Sequence, residues 1–205
     1  MPNVKGKPFA RITVRLTVFF LLIIIGWLIF VALIRPKPEA PDTSDWQTGY
    51  VFFSVGDSWE SVAVRSLTGV RHLAVSDSTP SHCGLVMRDA DGVKLVHAST
   101  VAKKVVAETP EEYFANNGSY CLYARKSAFN AADTPSLRHT LDSLIQNAVP
   151  FDFDFDHSDP SALYCTELVI TAFELNGLTD FSSLRKHTHI YPDDLQKICI
   201  KYETE

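Results

Sequence analysis

The sequence predicts an α+β domain, an antiparallel sheet packed against helices, behind one N-terminal transmembrane helix. Three observations predict it. Residues 16–34 form an uncharged run of 19 residues in which only Thr17 and Gly26 are not strongly apolar. His82–Arg88 and Val93–Ala98 flank the turn signal Asp89-Ala90-Asp91-Gly92, the pattern of a hairpin. Beyond Cys165, Leu168, Val169, Ala172 and Phe173 recur at the spacing of one helical face, and Gly177 supplies a stop.

The apolar run would make a helix about 28 Å long, close to the thickness of a bilayer core. A cleaved signal peptide begins the same way. The length of the run and its ending in Ile34-Arg35-Pro36-Lys37, a poor cleavage site, favour a retained anchor. Lys5, Lys7, Arg11 and Arg15 precede the span, whereas only Arg35 and Lys37 follow closely. The positive-inside rule therefore keeps residues 1–15 in the cytoplasm and sends the rest across, into the periplasm or another extracytoplasmic space. Residues 35–46, with three prolines, read as a stiff linker. The folded domain is expected over residues 47–205.

No acid precedes Glu39, and six of the 19 cations precede residue 38, which leaves the domain 13 cations against 24 acids, a formal charge of −11. Such a surface argues against a nucleic-acid partner and against docking on anionic lipid. The four cysteines, Cys83, Cys121, Cys165 and Cys199, form no CxxC and no zinc-site spacing, so neither a metal nor another cofactor is expected. A Cys121–Cys199 disulfide is permitted across a membrane.

The elements follow in order. Tyr50–Ser54 reads as a strand, stopped at Gly56-Asp57. A helix capped by Asp57 or Ser58 then presents Trp59, Val62, Ala63, Ser66, Leu67 and Val70 on one face. After a polar loop comes the hairpin. Thr109-Pro110-Glu111-Glu112 opens a short helix, and Ser119–Arg125 is a further strand. Thr134-Pro135 starts a helix with Leu137, Leu141, Leu144, Ile145 and Ala148 on one side. The helix at Cys165 follows. Pro192 opens a last short helix, with a strand expected at Ile198–Tyr202. Phe151-Asp152-Phe153-Asp154-Phe155-Asp156 alternates as a strand, Phe inward and Asp outward, and lacks the glycine and final glutamate of a calcium loop. Asn117-Gly118-Ser119 is a formal glycosylation sequon, and His187-Thr188-His189 reads as a surface loop.

A cysteine in the first turn of a helix feels unpaired N–H groups and the positive end of the dipole, both of which favour a thiolate. A lone cysteine on an apolar face is also, and more commonly, a packed core residue. What weighs against simple packing is the hairpin. With a two- or four-residue loop, His82 and His97 share one sheet face; with the four-residue loop, Gly84 lies opposite His97 and His82 is its diagonal neighbour. Cys83 then points to the other face, into the core. If the helix buries its apolar stripe on the sheet, a thiol and two imidazoles are brought together, as nucleophilic catalysis needs. Each histidine alone has a mundane reading, His82 as a capping or core-edge residue and His97 as an exposed strand polar.

Gly56-Asp57, Ser78-Thr79-Pro80-Ser81-His82-Cys83-Gly84-Leu85-Val86, Leu163-Tyr164-Cys165-Thr166-Glu167-Leu168-Val169 and Ile190-Tyr191-Pro192-Asp193-Asp194-Leu195 occur in that order. This series resembles the YiiX-like group of permuted NlpC-type, papain-like cysteine hydrolases, over roughly residues 48–200. The resemblance implies a circularly permuted papain-like fold in which the histidine strand precedes the cysteine helix. It implies Cys165 as nucleophile and His82 as general base, with the third polar position falling on His97. Many relatives carry an acid there, whereas the lecithin–retinol acyltransferase branch of the superfamily uses a second histidine. The backbone N–H of Cys165 is the expected oxyanion donor, with the Tyr164 hydroxyl either a second donor or a packing group. The expected substrate is a peptide amide, cell-wall peptide by compartment. A lipid acyl ester handled by the same residues, and a non-catalytic binding module, are the alternatives.

Overall fold

The computed structural model describes residues 16–26, 41–56, 58–72, 79–129, 133–178 and 180–203. The chain divides into two compact units, Met1–Lys37 and Pro38–Glu205. In the first, residues 16–26 are helical and their apolar side chains are exposed. Among the described residues no helix is long and apolar enough to cross a membrane; residues 27–34 of the expected span lie outside them.

The second unit is built on one five-stranded antiparallel sheet in the order β4-β3-β2-β1-β5. Its strands are β1 (Val51–Gly56), β2 (His82–Asp89), β3 (Gly92–Ser99), β4 (Lys104–Glu108) and β5 (Ser119–Arg125). Helices α1 (Trp59–His72), α2 (Pro110–Asn117), α3 (Thr134–Gln146), α4 (Cys165–Leu175) and α5 (Pro192–Glu203), with a 3-10 segment at Asp180–Lys186, complete it. The architecture is therefore the expected α+β, an antiparallel sheet covered by helices.

The pleat sends alternate residues to two cores. Phe53, Cys83, Leu85, Met87 and Val96 meet α3, α4 and α5 on one face. Phe52, Val86, Val93, Leu95 and Leu122 meet Tyr113 of α2 and Trp46 on the other. Trp46, assigned above to the linker, is thus a core residue; Arg88 reaches across to hold the carbonyls of Thr43 and Trp46 at 3.0 and 2.7 Å. Helix α4 is the central helix: Leu168, Val169, Ile170, Ala172 and Phe173 are all fully buried.

Four expectations need correction. Strand β4 was not read in the sequence; it follows a turn at Lys103, whose φ of 57° falls on a residue type that does not signal turns. Ile198–Tyr202 continues α5 rather than forming a strand, because Leu195 and Cys199, one turn apart, bury together in the main core. The Phe-Asp run is irregular and does not alternate: Phe151 is buried and Asp154 and Asp156 are exposed as expected, but Asp152 is also buried while Phe153 and Phe155 are exposed. The Asp152 carboxylate accepts the backbone N–H groups of Asp154 and Asp156 at 2.8 and 2.6 Å, a local alternative to a strand ladder. Finally, α1 is capped by Ser58, which accepts the Ser61 N–H at 3.2 Å, but Val62, Ala63, Ser66 and Leu67 of its expected inner face are exposed.

None of the four cysteines is disulfide-bonded, Cys121 and Cys199 included.

Candidate active site

The β2–β3 ladder runs from Asp89 opposite Gly92 to Leu85 opposite Val96. Extending that register puts Gly84 opposite His97, as the four-residue turn predicts, and His82 diagonal to it. The two rings meet edge to face with centroids 5.1 Å apart, and His82 Nε2 lies 3.1 Å from His97 Nδ1. Gly84 makes this possible. A Cβ there would overlap the Val96 carbonyl oxygen and stand 2.6 Å from the Phe52 ring.

Helix α4 packs on the opposite sheet face from the one presenting His97, not on the histidine face as expected. The histidine face is covered instead by α2, whose Tyr113 ring stacks on His82 at 6.2 Å and meets His97 edge-on at 5.0 Å. The nucleophile and base still meet, because both stand at the end of their elements: Cys165 is the first residue of α4 and His82 the first of β2. The Cys165 thiol stands close enough to the His82 ring and to Cys83 for both to favour its ionised form.

Electrostatics follow from those contacts. The hydrogen bond from Cys83 and the positive charge of a protonated His82 hold the Cys165 thiol well below the ordinary range, against the opposing effect of burial. Burial, with the Cys165 thiolate beside it, pushes Cys83 up, so Cys83 stays a thiol and donates. Burial likewise lowers His97, only partly offset by an acid on the next strand. That acid is Glu108, which the sequence reading missed. Its Oε2 lies 3.0 Å from His97 Nε2, and its carboxylate accepts Asn116 Nδ2 at 2.8 Å and Asn117 Nδ2 at 3.2 Å. The His97 hydrogen bond, then those from the asparagines, hold Glu108 below the usual carboxylate range against burial.

Local sequence explains why Asn116 and Asn117 return to Glu108. Thr109 caps α2 through a capping box with Glu112, Pro110 fixes the first turn, and the left-handed Gly118 ends the helix two turns later. The sequon asparagine, Asn117, is thereby engaged inside the fold, bonded also to the Tyr113 carbonyl at 3.0 Å.

Tyr164 is the N-cap of α4, buried, with its ring 5.4 Å from that of Phe155. Its hydroxyl lies near Thr166 and the Ile190 backbone without a hydrogen bond of good geometry, and no side chain caps the α4 N-terminus. Beside Cys165 opens a pocket of about 190 Å³, walled by Val64 and Leu67 of α1, Phe155, Tyr164, Ile190 and Pro192. Asp154 and His189 also border it.

No family model and no curated protein matches this chain. Among solved structures, the chain is similar to the crystal structure of the metalloprotein YiiX from Escherichia coli O157:H7. The TM-score is 0.55 at 16% identity, over 73% of this chain and 91% of that one. At that identity the likeness is one of fold, and the fold here is YiiX-like. The residues at this site do not fit a metal centre: both nitrogens of His97 are committed, to His82 and to Glu108. Among the described residues no group of three or more His, Cys, Asp and Glu side chains is arranged to hold a metal ion.

Proposed function

We propose that this chain is a membrane-anchored, extracytoplasmic cysteine hydrolase that cleaves an amide bond through a covalent acyl-enzyme. The observation that carries the reading is the placing of Cys165, at the start of its helix, beside a His82 ring that is hydrogen-bonded at 3.1 Å to the buried His97. A nucleophile, a base and an orienting group in series are what acyl transfer requires.

In this mechanism the Cys165 thiolate, its proton held on His82, attacks the carbonyl carbon of the substrate. The oxyanion that forms is stabilised by the backbone N–H of Cys165, at the uncapped end of α4. Collapse expels the amine, which takes the proton from His82, and leaves a thioester on Cys165. Water, deprotonated by His82, then releases the acid and regenerates the thiol. His97 orients the His82 ring throughout, and Tyr164 shapes the wall beside the thiol.

The expected class of substrate is a peptide, with cell-wall peptide suggested by the proposed compartment. A second reading, hydrolysis or transfer of an acyl ester, is favoured by the apolar pocket. A cavity of roughly 150 Å³ lined by apolar side chains accepts benzene, so the pocket at Cys165 suits a compact apolar group, whereas much of a cell-wall peptide is small or charged.

The test is to trap the acyl-enzyme. Membranes carrying the full-length chain are washed with alkaline carbonate, incubated with muropeptides or with acyl esters of graded length, quenched in acid and analysed by mass spectrometry. Retention in the washed membrane and an acyl adduct on Cys165, absent from Cys165→Ala, are expected. The class giving the adduct chooses between the two readings. No adduct from either class would leave a binding module, and loss of the chain in the wash would remove the anchor.

A further inference from the structure

We infer that Glu108 is a positioning residue that fixes the tautomers of both histidines, so that the atom of His82 receiving the Cys165 proton is Nδ1. The inference rests on the hydrolase reading for its purpose, but its geometry stands independently.

An ionised carboxylate only accepts hydrogen bonds, and Glu108 accepts from Asn116, Asn117 and His97. His97 Nε2, 3.0 Å from Glu108 Oε2, therefore carries a hydrogen. His97 is fully buried, and a neutral imidazole protonated at Nε2 presents a lone pair at Nδ1. His82 Nε2 stands 3.1 Å from that lone pair and must be the donor. With its Nε2 hydrogen committed to His97, neutral His82 keeps its free lone pair on Nδ1. Once Nδ1 takes the Cys165 proton, both N–H groups of the imidazolium have acceptors, the thiolate and His97, and no proton needs to move along the chain.

The neighbours do not compete for these nitrogens. The Tyr113 hydroxyl pairs with Ser54 Oγ at 2.7 Å, Phe52 offers only a ring at 6.2 Å, and Cys83 is engaged with Cys165. Without Glu108, His97 has no fixed acceptor at Nε2. The reverse tautomer then opens: His97 Nδ1–H would donate to His82 Nε2, His82 would carry its hydrogen on Nδ1, and it would be unable to accept a proton from the thiol.

The experiment uses the full-length chain labelled with 15N-histidine. Long-range 15N–1H correlation spectra assign the tautomer of each ring, and mass spectrometry follows iodoacetamide alkylation of Cys165 against pH. In the wild type we expect Nε2–H on His97 and a protonated Nε2 on His82. Glu108→Ala is expected to lose the single-tautomer signature of His97, to move the alkylation midpoint upward, and to slow alkylation at neutral pH about tenfold. Glu108→Asp is expected to restore the signature in part. Nδ1–H on His97 in the wild type would overturn the inference, and needs no variant to fold. An unchanged tautomer and pH profile in Glu108→Ala would also overturn it. The predicted tautomers alongside an unreactive Cys165 would sink the hydrolase reading and leave this assignment of Glu108 standing.

Discussion

Gly84 shows how tightly the site is drawn at the scale of one residue. Its hydrogen lets the Phe52 ring and the Val96 carbonyl close over β2, and with them the two histidine rings. Neither neighbour can withdraw, since Phe52 is fully buried and Val96 is held in the sheet. Gly84→Ala is therefore expected to cost about 1–3 kcal/mol, the range of an overpacked core, read from the denaturation midpoint in urea. An unchanged midpoint would mean the strand shifts freely. At this scale much was legible. The parity of a short hairpin placed His82 and His97 on one face, and the helical spacing beyond Cys165 placed the thiol at a helix start. Glu108 was not legible, because its link to His97 depends on a strand pairing, His97 opposite Val106, that no local pattern signals.

Among the elements, α4 carries a buried acid at its N-terminal end. Glu167, in its first turn, is buried near the Tyr164 backbone and stands 3.5 Å from Arg185, with its second oxygen unpartnered. Burial raises its carboxyl from 4.5 to about 7, against the pull of Arg185. A folded-state value above the unfolded one gives stability that is present below the unfolded value and is lost as pH rises through the folded one. Between pH 5 and 8 the wild type should thus lose stability relative to Glu167→Gln, by at most about 3 kcal/mol. A difference in unfolding free energy that stays flat with pH would contradict this. The Phe-Asp run and Ile198–Tyr202 were both expected as strands, but an Asp side chain captured the first backbone and core burial of Leu195 and Cys199 fixed the second as helix. Likewise, the amphipathic pattern of α1 was real, yet its Leu67 serves the pocket wall rather than the core.

For the whole molecule, the layered α+β order was legible because each core face repeats its own period. The meeting of Cys165 with His82 was expected for a partly wrong reason. Helix α4 covers the face carrying Cys83, and the thiol reaches the base only because both residues begin their elements at the same end of the sheet. That arrangement makes Cys83 a neighbour of the nucleophile rather than a bystander in the core. The central claim is that Cys165 is a thiolate held by His82. It is tested most directly by the alkylation rate of Cys165 against pH in the full-length chain, with Cys83 kept in place and the modified peptide quantified by mass spectrometry. The account predicts a rate that stays high well below the free-thiol value of about 8.5 and a midpoint that rises in both His82→Ala and Cys83→Ala. A wild-type midpoint at the free-thiol value, or one that neither substitution moves, would contradict it.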